Sequence, residues 1–108
     1  MTERNKTSKY LPLSESTYYI LSALVEPLHG YGVMQKVGEM SQGTVSIGPG
    51  TLYGAFSTLE KQRLIVKIRE EERRKIYALT PLGKSVLKEQ TRRLEIMTRG
   101  GLAAGKRP

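Results

Sequence analysis

The sequence predicts a small α+β domain, mainly α with one small β-hairpin, on three observations. Apolar residues recur at helical spacing in four separate segments. Two runs rich in β-branched and aromatic residues, LIVKIR at 64–69 and KIYAL at 75–79, flank a wholly charged link, EEERR. Pro49 and Pro81 each stand where a helix would begin, with the fixed φ that suits a first helical position.

Taken in order, residues 1–10 are polar and predict a flexible arm. Leu13, Tyr18, Leu21, Leu24 and Val25 then predict a first helix over about 14–26, with Ser14 as N-cap and Pro27 as stop. Tyr31, Met34, Val37 and Met40 repeat every three residues and predict a second helix over 30–42. Gly32 and Gly38 count against it, since an interior glycine costs about 1 kcal/mol relative to alanine. Gly38 would also permit close helix–helix approach. The turn-rich stretch 41–50 holds a short extended piece at Thr44–Ile47.

A third helix is expected over 49–62. Leu52, Phe56 and Leu59 line one face, and Thr51, Tyr53, Gly54, Ser57, Thr58 and Lys61 line the other. The hairpin follows. It lacks an Asn-Gly signal, so its turn type stays open. A fourth helix runs from Thr80 as N-cap and Pro81 to about residue 99, carried by Leu82, Val86, Leu87, Leu94 and Met97. Gly100-Gly101 end it, and 100–108 read as a disordered tail. The expected order is helix, helix, short strand, helix, hairpin, helix.

Composition narrows the function. A chain of 108 residues supports one modest core, which a second chain's apolar surface would enlarge. Cysteine and aspartate are absent and there is a single histidine, so disulfides, thiolate metal sites and the common catalytic constellations are excluded. No enzyme activity, metal or cofactor is expected. No apolar run approaches the roughly 20 residues of a membrane span. The polar N-terminus carries no leader pattern, so a cytoplasmic location is expected. The net charge is +8, and the basic excess lies in the second half and at both ends. Such an excess favours a polyanionic partner.

Three small helices must pack together to bury their apolar stripes. The second and third then form a helix-turn-helix, and its later helix fits a major groove about 12 Å wide. The hairpin becomes a wing beside it. Arg69, Arg73, Arg74 and Lys75 suit phosphate oxygens, although Glu70, Glu71 and Glu72 dilute that charge. Free N–H groups at the start of the third helix suit another phosphate. Gly48 and Gly50 allow close approach there, Thr51 and Tyr53 offer hydroxyls, and Ser46, Ser57 and Lys61 complete the candidate DNA-binding set. That helix has no Arg or Asn near its start. Sequence reading would then rest on Thr, Ser and Tyr contacts and on DNA shape. His29 reads as a helix cap or hydrogen-bonded structural residue.

The fourth helix spans about two heptads, short for an independent coiled coil. Leu82 and Val86 are expected to face inward. Leu87, Gln90, Thr91, Leu94 and Met97, joined by Tyr18 and Tyr19, are expected to meet a second copy of the chain. A symmetric dimer would set two recognition helices about 34 Å apart. The organisation expected is an arm at 1–10, a winged helix-turn-helix at 11–79, a dimerisation helix at 80–99 and a tail at 100–108.

Three blocks, HGYGVMQKV at 29–37, SIGPGTLYGAFSTLEKQRLI at 46–65 and RRKIYALTPLGKSVL at 73–87, resemble the PadR family of transcription regulators. The likeness covers about residues 11–90 and fits the short subfamily with one C-terminal helix. It implies a homodimeric winged helix that represses transcription at palindromic operators on double-stranded DNA. By that analogy Tyr31, Gly50, Thr51, Tyr53 and the stretch Arg73–Lys75 contact DNA. It also implies a small hydrophobic effector such as a phenolic acid or drug, although the chain has no tryptophan for an effector to stack on. Phe56 stands where leucine is usual. The alternative is a winged-helix protein-interaction module without specific DNA binding. An RNA binder ranks lower, since no aromatic pair is expected on a sheet.

Overall fold

Side chains set where three of the four helices begin. In a computed structural model of the chain, residues 6–106 are described. Helix α1 (Glu15–Ala23) starts at Ser14, whose hydroxyl accepts the Thr17 N–H at 3.1 Å. Helix α2 (Gly30–Met40) starts at His29, whose Nδ1 accepts the Gly32 N–H at 3.0 Å. Helix α4 (Pro81–Gly105) starts at Thr80, whose hydroxyl accepts the Gly83 N–H at 3.0 Å. Each satisfies a donor that the first turn leaves without an intrahelical partner. Helix α3 (Pro49–Lys61) has Gly48 at its cap and relies on Pro49.

Helices α2 and α3 end alike. Gln42 and Arg63 take left-handed φ of 53° and 62°. The next residues close the turn, Gly43 N–H to the Gly38 carbonyl and Leu64 N–H to the Leu59 carbonyl, both at 2.9 Å. Glycine usually fills that left-handed position. With no glycine at either position, neither helix end carries a C-cap signal in the sequence.

Three strands complete the fold: β1 (Leu28–His29), β2 (Ile65–Glu71) and β3 (Arg74–Leu79). They form one antiparallel sheet in the order β1-β3-β2. Leu28 lies opposite Tyr77, and His29 opposite Ile76. The register of β2 slips between Lys67 and Arg69.

Several expectations need correction. The extra strand is at Leu28–His29, before α2, not at Thr44–Ile47. Residues 44–47 have no strand partner; Val45 and Ile47 bury their side chains, and the Ser41 hydroxyl bonds the Val45 N–H and carbonyl. Helix α1 ends at Ala23, since Pro27 has no N–H to offer the Ala23 carbonyl and its ring crowds it. Helix α4 continues through Gly100-Gly101 to Gly105, where a tail was expected. The helix-favouring Leu102, Ala103 and Ala104 follow the glycines. Of the expected arm, Ser8–Tyr10 forms a 3-10 turn, Thr7 is buried and Tyr10 packs on the core. Residues 1–5 of that arm and 107–108 of the tail lie outside the described residues.

The core gathers Ile20 and Leu21 from α1 and Leu24 just after it, Val33 and Val37 from α2, and Leu52, Phe56 and Leu59 from α3. Leu64, Ile65, Tyr77 and Leu79 join from the wing, and Val86 from α4. Helix α4 meets this core through a tight backbone contact. A side chain at Gly83 would run into the Leu64 carbonyl oxygen. Gly83→Ala is therefore expected to lower stability in urea unfolding by about 1–3 kcal/mol, the usual cost of overpacking.

Candidate nucleic-acid interface

The surface of α3 follows from its helical period. Burying Leu52, Phe56 and Leu59 turns Thr51, Tyr53, Ser57 and Lys61 outward. Gly48 and Gly50 at its start have nothing within 4 Å of an added Cβ, so the backbone there is open to close approach. Ser46 is exposed on the loop before it. Tyr53 is 53% exposed, yet its ring is fixed. It stands edge-on to Phe56 at 6.0 Å, and its hydroxyl lies 2.6 Å from where a Cβ on Gly30 would be. Gly30 thus leaves the space that lets Tyr53 reach across from α3 to the start of α2.

The wing turns at Glu72-Arg73, between the paired residues Glu71 and Arg74. Both take left-handed φ, 50° and 67°, as a two-residue hairpin turn of the primed type requires. Neither is the glycine or asparagine such turns favour, so strain is stored at the tip.

Charge in the wing is partitioned. Lys67 pairs with Glu70 at 3.2 Å, and Arg69 pairs with Glu71. Among the described residues, Arg73, Arg74 and Lys75 have no carboxylate partner. The acidic run thus offsets Lys67 and Arg69 and leaves the next three cations available.

These elements enclose a cavity of about 330 Å³ lined by His29, Gly30, Tyr31, Tyr53, Arg73, Arg74, Lys75 and Tyr77. Five expected DNA-contact residues, Tyr31, Tyr53, Arg73, Arg74 and Lys75, meet there. Ser46, Gly50, Thr51, Ser57, Lys61 and Arg69 are exposed but lie outside it. His29 was not among the expected contacts. It lines the cavity because β1 pairs with β3, which sets its Nε2 3.1 Å from the Arg74 guanidinium. Burial first, then Glu60 and Tyr53, push the Tyr77 hydroxyl above its usual pKa, so it stays a neutral donor. Among the described residues no cluster of side chains could hold a metal ion, and no helix is long and apolar enough to cross a membrane.

The residues expected to meet a partner chain divide. Gln90 is only 4% exposed, and its carbonyl oxygen accepts the Leu13 N–H at 2.7 Å. It is an internal strut, which corrects its assignment to the interface. The Thr91 hydroxyl donates to the Leu87 carbonyl and meets the Tyr18 hydroxyl at 2.8 Å. Tyr19 and Leu87 are half-buried against the core, and Leu94 is half-buried. Met97 is 66% exposed, and Ile96 and Leu102 beyond it are exposed as well.

A helix-turn-helix followed by a basic β-hairpin beside its second helix defines a winged helix, a class that includes many DNA-binding regulators. The profile of the transcriptional regulator PadR-like family matches residues 19–89. The chain belongs to that family, whose members are DNA-binding transcriptional regulators and not enzymes. It is 33% identical over 78 residues to a 37.1 kDa protein of a Streptomyces fradiae transposon, covering 71% of this chain and 22% of that protein. It is 32% identical over 69 residues to the transcriptional regulator YqjI of Escherichia coli, covering 64% of this chain and 33% of that protein. The chain therefore spans a third or less of the length of these two relatives. Among solved structures, a Clostridium thermocellum transcriptional regulator superposes with TM-score 0.67 at 31% identity, over 79% of this chain and 86% of that one. A PadR family regulator from Eggerthella lenta gives TM-score 0.70 at 25% identity, over 85% and 82%.

Relieving the wing-tip strain should separate stability from binding. Glu72→Asn with Arg73→Gly is expected to raise unfolding stability by about 1 kcal/mol. The same pair should lower duplex affinity and reduce the log–log salt slope by about one, through loss of the Arg73 cation.

Proposed function

We propose that the chain is a homodimeric repressor that binds a palindromic operator, with α3 in the major groove and the wing on the flanking backbone. The observation that carries this is the trio Arg73, Arg74 and Lys75, without a carboxylate partner among the described residues and set beside the exposed face of α3. Cations already neutralised by carboxylates release few counterions from DNA; unpaired ones release them fully. Thr51, Tyr53, Ser57 and Lys61 then face the bases and nearby phosphates, and Tyr31 supports them from α2. Helix-terminal N–H groups at Gly50 and Thr51 add a phosphate contact.

The second copy is argued from α4. Beyond Leu94 every residue through 105 is exposed, and two of them are adjacent glycines. A short exposed stretch of helix with three glycines is marginal by itself. A partner helix laid on Leu94, Met97 and Leu102 would supply the missing burial. Beside α4 lies a cavity of about 690 Å³ whose apolar floor includes Val25, Leu79 and Leu87. In the dimer this is where a small hydrophobic effector would lodge. It would release DNA only by favouring a different spacing of the two α3 helices.

Salt titration of duplex binding tests the DNA reading. Wild type is expected to lose affinity steeply with salt. Replacing Arg73, Arg74 and Lys75 together with Ala should flatten the log–log slope by about three. An unchanged slope would instead favour a winged helix that binds protein. Sedimentation tests the dimer: Ile96→Glu with Met97→Glu is expected to give monomers where wild type gives dimers, with the unfolding of the winged domain little changed.

A further inference from the structure

We propose that His29 contacts DNA directly, its Nε2–H and the Arg74 guanidinium together holding one backbone phosphate of the duplex. This rests on the DNA reading above and adds a residue and a chemistry to it.

The two nitrogens of the His29 imidazole each face a donor. Nδ1 of His29 accepts the Gly32 N–H at 3.0 Å, so Nδ1 carries no proton. That amide belongs to the first turn of α2 and has no intrahelical acceptor, so the capping bond fixes the tautomer. The neutral ring must then carry its hydrogen on Nε2. Nε2 stands 3.1 Å from Nη1 of Arg74, which is also a donor. The other neutral tautomer only moves the conflict, setting Nδ1–H against the Gly32 N–H. A doubly protonated ring faces donors on both sides. In every state the pair lacks one acceptor.

The surroundings say what kind of acceptor fits. The cavity holding both groups is lined by Arg73, Arg74, Lys75 and three tyrosines, with no carboxylate among them. Glu60 lies outside this lining and acts on the neighbouring Tyr77 hydroxyl, whose pKa it helps to raise. Arg73 and Lys75 add positive charge without a partner among the described residues. An anionic oxygen that accepts from Nε2–H and from Arg74 at once removes the conflict and gains two hydrogen bonds, one of them charge-assisted. At the junction of α2, α3 and the wing, the polyanion that a winged helix presents to this cavity is the phosphodiester backbone.

The test separates the cap from the contact. Asn is a strong N-cap, so in His29→Asn its Oδ1 keeps the Gly32 bond while the Nε2 donor is lost. Unfolding stability should stay near wild type. Affinity for a mixed-sequence duplex should fall about tenfold or more at fixed salt, the usual effect of losing a hydrogen bond to a charged group. Because the lost donor is neutral, the salt slope should hold, whereas Arg74→Ala should lower it by about one. The double variant should lose less than the sum of the two single losses, since both groups hold the same phosphate. If wild type binds duplex with a steep slope and His29→Asn binds equally well, a water bridges the pair and the proposal fails alone. If wild type shows no salt-dependent duplex binding, the DNA reading fails and this proposal fails with it.

Discussion

Much of the molecule hangs on the backbone of Leu64. Its N–H closes the end of α3 on the Leu59 carbonyl, and its carbonyl receives the Thr80 N–H at the start of α4. The Thr80 hydroxyl donates to the Arg63 carbonyl at 2.6 Å and accepts from Gly83 N–H. Gly83 lies so close to Leu64 that no side chain fits between. The Leu64 side chain is fully buried in the core. The last turn of α3, the base of the wing and the first turn of α4 are therefore one knot. Interiors packed this tightly move as units rather than deform. A shift of α4 would accordingly carry α3 and the wing with it.

The wing shows how a run of alternating charges acquires a direction. EEERR followed by Lys75 looks nearly neutral as a string. Folded as a hairpin, Glu70 and Glu71 reach back to Lys67 and Arg69 and leave the cations that follow without a carboxylate partner among the described residues. Those two pairs are exposed, so each contributes little to stability and can exchange for a phosphate at small cost. The strained pair Glu72-Arg73 sets the tip. A relaxed turn would have needed glycine or asparagine where Arg73 now supplies charge.

The sequence carried the helix faces of α3 and the first half of α4 because each repeats an apolar residue over several turns. It carried the hairpin because its two strands are β-branched and its link is charged. It did not carry β1, since two residues have no period and gain strand geometry only beside β3. Gly100-Gly101 favour a stop by propensity alone, yet α4 runs on past them to Gly105. Gln90 looked like an interface residue on heptad spacing, but its amide is needed by Leu13, far away in the chain. His29 was legible as a cap and not as a contact. Its second role depends on Arg74, which only the pairing of β1 with β3 brings near.

In the proposed dimer, two copies of this domain present two α3 helices in fixed symmetric register to duplex DNA. Enrichment of bound duplexes from a random library at physiological salt tests it most directly. The account predicts an inverted repeat whose half-sites lie about one helical turn apart, roughly 34 Å. Enrichment of no motif, with binding that simply fades as salt rises, would contradict it and leave only charge-driven contact.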